Sequence, residues 1–292
     1  MKILLTGVSG QVGWELQRTL MTMGDVISVG RNQLDLAQPD TISATIRDIK
    51  PDLIVNPAAY TAVDKAESEP DLAMSINGVA PGIIAEEAKR LGSAIIHYST
   101  DYVFDGNNSL PYQEDELKNP QNVYGKTKLA GEEAITSVGV NHIIFRTSWV
   151  YGLRGKNFLL TMQRLAKERE EIKVVDDQIG APTWSRIIAE ITAQVITQGQ
   201  NNLTDFLANK GGIYNLSPSG KTSWYGFAKA IFNDDFPNNE RKLKRLIPIT
   251  TPEYPTPASR PAFSLLDNQK FSDTFGLKMP EWDQVLKLVI DS

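Results

Sequence analysis

The chain has 292 residues, 41% of them hydrophobic, and a formal net charge of −5. That length supports one large domain or two modest ones, and the acidic balance argues against the basic face of a nucleic-acid binder. Cysteine is absent, which removes disulfides, thiolate catalysis and Cys-ligated metal centres and fits a reducing cytoplasm.

The apolar run at residues 3–5 is too short for a signal-peptide core. No stretch approaches the ~18 apolar residues of a membrane span. A cytoplasmic protein with no membrane partner is expected. In chain order, residues 3–6 predict a buried strand. Residues 11–23 predict a helix, with Val12, Leu16, Leu20 and Met23 near helical spacing, and 25–29 a second strand. A helix follows over 39–49, opened by Pro39, then a strand over 53–56. Residues 70–91 form a long helical pattern with a candidate interruption near Gly78 and Pro81. Strands are expected over 94–98 and 142–146, with a helix over 123–135 between them.

Strands alternating with helices of this length indicate βαβ units and a parallel sheet covered on both faces. The second half is less regular. Helices are expected over 157–168, 184–197, 222–232 and 282–290, strands over 172–175 and 212–216, and a Pro-rich loop over 248–261. The fold class is α/β: a Rossmann-type doubly wound sheet over 1–150, then a smaller mixed α/β substrate-binding domain over 151–292. Some later segments, the strand at 212–216 first among them, are candidates to return to the main sheet.

Gly7, Gly10 and Gly13 stand between the first strand and the first helix. Gly7 allows a turn, Gly10 lets backbone approach a pyrophosphate, and Gly13 lets the helix pack on the strand. The helix N-terminus then offers its free N–H groups to phosphate. The second strand ends without the acid that favours NAD. It carries Arg31 instead, a candidate for a 2′-phosphate and so for NADPH, with NADH still open. Asp35 and Leu36 would flank the adenine.

Tyr124 and Lys128 lie four residues apart, hence on one helix face. A nearby ammonium lowers a phenol's pKa and suits it to proton transfer. Thr100, at the end of the fourth strand, would hold a substrate carbonyl, because ligands of open α/β sheets bind at such ends. His97 and His142 sit in apolar runs and read as core residues.

These features together resemble the extended short-chain dehydrogenase/reductases. The runs at 62–67 (Ala-Val-Asp-Lys-Ala-Glu), 99–104 (Ser-Thr-Asp-Tyr-Val-Phe), 122–131 (Asn-Val-Tyr-Gly-Lys-Thr-Lys-Leu-Ala-Gly), 146–151 (Arg-Thr-Ser-Trp-Val-Tyr) and 255–261 (Pro-Thr-Pro-Ala-Ser-Arg-Pro) resemble the dTDP-4-dehydrorhamnose reductase family over nearly the whole chain. The resemblance implies NADPH-dependent reduction of the C4 ketone of dTDP-4-dehydro-β-L-rhamnose, the last step in making dTDP-L-rhamnose for cell-surface polysaccharide. It implies Tyr124 as proton donor, Lys128 as its tuner and ribose ligand, and Thr100 and Asp101 at the sugar. Gln11, Val12, Ala59, Tyr60, Thr61 and Tyr98 would also contact the dinucleotide, Tyr60 through its backbone. Trp149 either lines the sugar or nucleotide side or fills the core. Arg260 either meets the diphosphate or is a surface charge. Some members of the family form Mg²⁺-bridged homodimers; Glu15 and Glu190 are candidates for that structural role, or are simply solvated.

Two rival readings stay open. A nucleotide-sugar epimerase or 4,6-dehydratase shares the fold, although a dehydratase usually has Asp-Glu after the Thr, where this chain has Asp101-Tyr102. A non-catalytic dinucleotide sensor is the other, against which the intact Tyr124, Lys128 and Thr100 argue.

Overall fold

The computed structural model describes residues 1–234 and 241–290. The chain runs β1 (Lys2–Leu5), α1 (Gln11–Thr19), β2 (Asp25–Ser28), α2 (Pro39–Ile49), β3 (Leu53–Asn56), α3 (Val63–Ala66), α4 (Pro70–Met74), a π-helical turn (Ser75–Val79), α5 (Ala80–Leu91) and β4 (Ala94–Thr100). It continues through α6 (Val123–Val138), β5 (His142–Thr147), β6 (Val150–Tyr151), α7 (Phe158–Glu168), β7 (Glu171–Val175), β8 (Ile179–Gly180), β9 (Thr183–Trp184) and α8 (Ser185–Gln198). The last elements are α9 (Leu203–Lys210), β10 (Gly212–Asn215), β11 (Thr222–Ser223), α10 (Trp224–Asp234), β12 (Arg245–Ile249), α11 (Gln269–Phe275) and α12 (Trp282–Ile290).

Six parallel strands form the main sheet in the order β10-β5-β4-β3-β1-β2. The chain leaves β1 towards β2 on one side and returns to β3 on the other. This makes a topological switch point between β1 and β3, where doubly wound sheets bind ligands. Alternate residues feed two cores, as a strand's period of two requires. Ile3, Leu5, Leu53, Val55, Ile143 and Phe145 pack with Leu16 of α1 and Ile188, Ile191 and Val195 of α8. Leu4, Ile54, Ile95 and Ile144 pack on the other face with α2, α5 and Ile135 of α6. A third core joins α7, β7, α10, β12 and α12 around Tyr151, Leu159, Phe227 and Leu286. Residues after 151 therefore serve two bodies of structure: α8 and β10 complete the large sheet, and the rest build the smaller core.

Several elements differ from the sequence expectation. The helical stretch over 70–91 carries its expected interruption near Gly78, as a π-helical turn at Ser75–Val79; the differences lie elsewhere. The strand expected over 94–98 runs on to Thr100, with Ser99 and Thr100 paired to Arg146 and Thr147 of β5. The start of the expected 248–261 loop belongs to β12, which pairs with β7 and accommodates Pro248 because it is an edge strand. Helices α9 and α11 are short, seven to eight residues, and lack a long periodic signature. Among the described residues, no helix is long and apolar enough to cross a membrane.

Candidate active site

The carboxyl ends of β1, β3, β4 and β5 open onto a cleft of about 710 Å³ whose walls include Gly7, Gly10, Gln11, Val12 and Gly13. Gly7 has φ +59°, and a Cβ there would fall 2.7 Å from the backbone nitrogen of Ala58. The turn therefore excludes larger residues both by conformation and by the approach of the β3 end. Gly10 is the N-cap of α1; it offers no side-chain cap, and the first turn carries no acid. The first N–H groups of this helix are thus left to a ligand, with the positive end of the helix dipole behind them. Gln11 ties the loop to the chain's second half: its amide donates to the Val150 carbonyl at 3.4 Å and accepts from Asn157 Nδ2 at 2.9 Å.

Tyr124 enters from the first turn of α6. Asn122 caps that helix by accepting from the Gly125 N–H at 2.8 Å, and its Nδ2 donates to the Ser259 carbonyl at 2.8 Å. The cap therefore fixes the turn carrying the phenol against a distant loop. Burial pushes the Tyr124 pKa well above its ordinary value, hydrogen bonding with Thr100 acts the other way, and the Asp101 and Tyr102 charges raise it again. The expectation that Lys128 would hold this phenol low is corrected. Burial dominates, and the Lys128 ammonium is turned under β4, where Nζ donates to the Tyr98 carbonyl at 2.6 Å and lies 3.3 Å from His97 Nε2. Burial lowers the Lys128 pKa to about 8, opposed by the negative charge of Glu132. Thr100 donates to Asp101 Oδ1 at 2.9 Å and accepts from the Tyr102 N–H at 3.2 Å. Burial lifts Asp101 to about 6 against hydrogen bonding from Thr100 and Ser264.

Trp149 faces the cleft from the segment between β5 and β6 and stacks on Trp224, ring centroids 3.6 Å apart and 8° from parallel. Its φ of +46° is strained for a bulky residue. It is a wall residue, which resolves the choice between wall and core. Trp224 and Lys156 also line the cleft. Neither was singled out in the sequence, because each reaches the site from the second half with no motif around it.

Of the expected cofactor residues, Arg31, Asp35, Leu36, Ala59, Thr61 and Tyr98 also line the cleft. Arg31 is paired with Asp35 at 3.3 Å on the exposed lip. Tyr60 is not brought to the wall. Asn77, in the π-helical turn, accepts from its N–H at 2.8 Å and donates to its carbonyl at 3.0 Å, so the backbone expected to meet a dinucleotide is already bonded. The Tyr60 hydroxyl donates to Glu69 at 2.6 Å. Arg260 stands behind the wall: it pairs with Asp64 at 2.6 Å and donates to the Tyr102 hydroxyl at 3.2 Å. Its charge is paired there, and it is not among the residues that line the cleft. The metal expectation gains no support. Glu190 is paired with Arg186 at 3.0 Å, and among the described residues no group of three His, Cys, Asp or Glu could hold an ion.

Comparison with known proteins agrees with this geometry. The family model described as "RmlD substrate binding domain" matches residues 1–292. A dTDP-4-dehydrorhamnose reductase of Burkholderia thailandensis is 47% identical over 99% of this chain and 98% of its own length. The crystal structure of a dTDP-4-dehydrorhamnose reductase from Clostridium acetobutylicum superposes with TM-score 0.90 at 39% identity, over 100% of this chain and 99% of that one. The enzyme of the same name from Bacillus anthracis, solved in complex with NADP, gives TM-score 0.89 at 35% identity, over 100% and 99%. Fold, cleft and full-length similarity lead to one conclusion: the chain belongs to the RmlD substrate binding domain family, alongside the dTDP-4-dehydrorhamnose reductases.

Proposed function

We propose that the protein reduces the C4 ketone of dTDP-4-dehydro-β-L-rhamnose to the alcohol, with NADPH as hydride donor. The observation that carries this reading is the convergence of Thr100, Tyr124 and Lys128 on the cleft that the glycine turn opens. The residues present fit a dinucleotide: a glycine cradle that a Cβ would fill and an uncapped helix N-terminus suit a diphosphate. Arg31 suits a 2′-phosphate and Asp35 a ribose hydroxyl. Their own exposed pair is worth under about 1 kcal/mol, so either can exchange it for a ligand. NADPH is the preferred donor and NADH a tolerated one.

The bound dinucleotide supplies the hydride. The chain supplies the proton and the orientation. Tyr124 stays protonated at neutral pH because burial disfavours the phenolate, which is the state a reduction needs: the phenol O–H donates to the oxygen as it becomes an alkoxide. Thr100 orients the carbonyl beside it, and the phenolate left behind is stabilised by the Thr100 hydroxyl, with the Lys128 charge one helical turn away. Stacked Trp149 and Trp224 give the sugar nucleotide an apolar wall that keeps water from the reacting carbon.

The test is loss of NADPH absorbance on mixing protein, NADPH and the 4-keto sugar nucleotide, with the product identified as the 4-alcohol. Tight dinucleotide binding without NADPH loss would make the protein a sensor. Turnover with copurified NAD and no added NADPH would make it an epimerase.

A further inference from the structure

A line of buried polar side chains crosses the sheet beneath the cleft. Thr6, just past β1, bonds Asn56 at the end of β3, Oγ1 to Oδ1, at 2.6 Å. Asn56 Nδ2 lies 3.2 Å from His97 Nδ1 on β4, and His97 Nε2 lies 3.3 Å from Lys128 Nζ on α6. The four residues are between 0% and 2% exposed. The sequence presents His97 as a core filler; the structure gives both of its ring nitrogens polar neighbours.

The donor and acceptor inventory allows two wirings. In one, the Thr6 hydroxyl donates to Asn56 Oδ1, Asn56 Nδ2 donates to His97 Nδ1, and the ring proton sits on Nε2. Lys128 must then be a neutral amine that accepts it. In the other, Lys128 is an ammonium that donates to Nε2, and the ring proton sits on Nδ1. Asn56, its amide turned over, accepts that proton on Oδ1 and donates to Thr6 from Nδ2. Amide oxygen and nitrogen are interchangeable in such a network. The wirings differ by one proton on Lys128 and a tautomer exchange on His97.

We propose that His97 is a positioning residue for Lys128: as the Nδ1–H tautomer, held by Asn56 and Thr6, it accepts from the ammonium and keeps it charged. The inference rests on the carbonyl reduction proposed above, since it concerns the charge beside Tyr124. The ammonium's neighbours are few. On its own helix stand Tyr124 and Glu132, and Glu132 is engaged by Arg146 of β5 at 2.6 Å. From β4 come His97 and the Tyr98 carbonyl. Of its three N–H groups, one goes to the Tyr98 carbonyl at 2.6 Å and one to His97, which leaves the third for the cleft. Burial first, and then the Lys128 charge, hold the His97 pKa well below its ordinary value, so the imidazole stays neutral and its lone pair available.

The first test needs no turnover and leaves His97 itself unchanged. The chain has only two histidines, so ring ¹⁵N NMR, with His142→Gln to assign the signals, reads the tautomer of His97 directly. The Nδ1–H form at neutral pH is expected; the Nε2–H form or an imidazolium overturns the proposal. The second test is the pH profile of NADPH oxidation with the 4-keto sugar nucleotide. Turnover of the parent falls as pH rises through the Lys128 pKa of about 8. His97→Met removes the acceptor, so this alkaline limb moves down by about one pH unit. His97→Gln, whose Oε1 takes the place of Nε2, brings it back. A His97→Met enzyme that keeps the parent's limb, or a His97→Gln enzyme that behaves like it, overturns the proposal. A parent without turnover overturns the reductase reading instead, and the NMR result still decides the tautomer.

Discussion

Asp101→Asn tests how much stability the site gives up to hold a carboxylate. Asp101 is 3% exposed. Its Oδ1 accepts from Thr100 at 2.9 Å. Its Oδ2 is buried without a hydrogen bond of good geometry, because the nearby Ser264 hydroxyl is directed to the Ile179 carbonyl at 3.4 Å. Burial therefore raises the folded pKa from 3.8 to about 6. The sign follows from proton counting. Between these values the folded chain holds a proton that the unfolded chain has released, so stability falls as pH rises through this window, and the full penalty stands above about 6. Two units correspond to about 3 kcal/mol. Asn removes the ionisation but leaves a buried amide imperfectly bonded, at a cost of about 1 kcal/mol at every pH. The variant is therefore expected to be less stable than the parent by ~1 kcal/mol near pH 3 and more stable by ~2 kcal/mol near pH 8. Urea unfolding of both chains across that range checks this, since every other titrating group cancels in the difference. A difference that does not change with pH would refute the reasoning, whatever its mean value.

Tyr124→Phe removes the proton donor and little volume, so kcat should fall by about 10²–10⁴-fold, with NADPH affinity by fluorescence titration within about threefold of the parent. Glu132→Gln leaves the fully buried Arg146 guanidinium without its carboxylate, a loss of about 3–5 kcal/mol by denaturant unfolding. The double change Arg146→Met with Glu132→Leu should lose less, about 1–3 kcal/mol, chiefly from the Glu114 carbonyl that Arg146 Nη1 now bonds at 2.9 Å. Arg31→Ala should raise KM for NADPH about fivefold to tenfold, as loss of one exposed charge-assisted contact implies, and leave KM for NADH nearly unchanged; equal effects on both would remove Arg31 from the 2′-phosphate.

What the sequence disclosed follows from the range of the interactions involved. The glycine turn, the α6 pair and the strand ends are local: their residues lie within a turn or strand of one another, and period and spacing place them. The six-stranded sheet was legible for the same reason, since unbroken apolar runs such as Ile3-Leu4-Leu5 occur where both faces are covered. Less legible was everything that depends on partners far along the chain. Asn77 looked like one polar residue in a helix, yet it occupies both backbone groups of Tyr60, seventeen residues earlier. Arg260 carried the charge expected of a diphosphate ligand, but Asp64, 196 residues away, already pairs with it. Trp224 joins Trp149 across a separation that no periodicity records. Lys128 was placed on the correct face, but the direction of its ammonium is set by the carbonyl of β4, which spacing along α6 does not reveal.

The same distinction shows in the polar atoms behind the cleft wall. Ser99 Oγ, Asp101 Oδ2 and Thr147 Oγ1 are buried and have no hydrogen-bond partner, and all three belong to residues on the wall formed by the ends of β4 and β5. Native chains satisfy nearly all such atoms, because each one left unpaired costs about 1–3 kcal/mol. Adjacent strands β4 and β5 bring them together in register, Ser99 opposite Arg146 and Thr100 opposite Thr147. Three of the eight such atoms among the described residues share this wall with Tyr124. Each is shielded even in the open cleft, so only a shift of the β4 and β5 ends would bring it to a ligand.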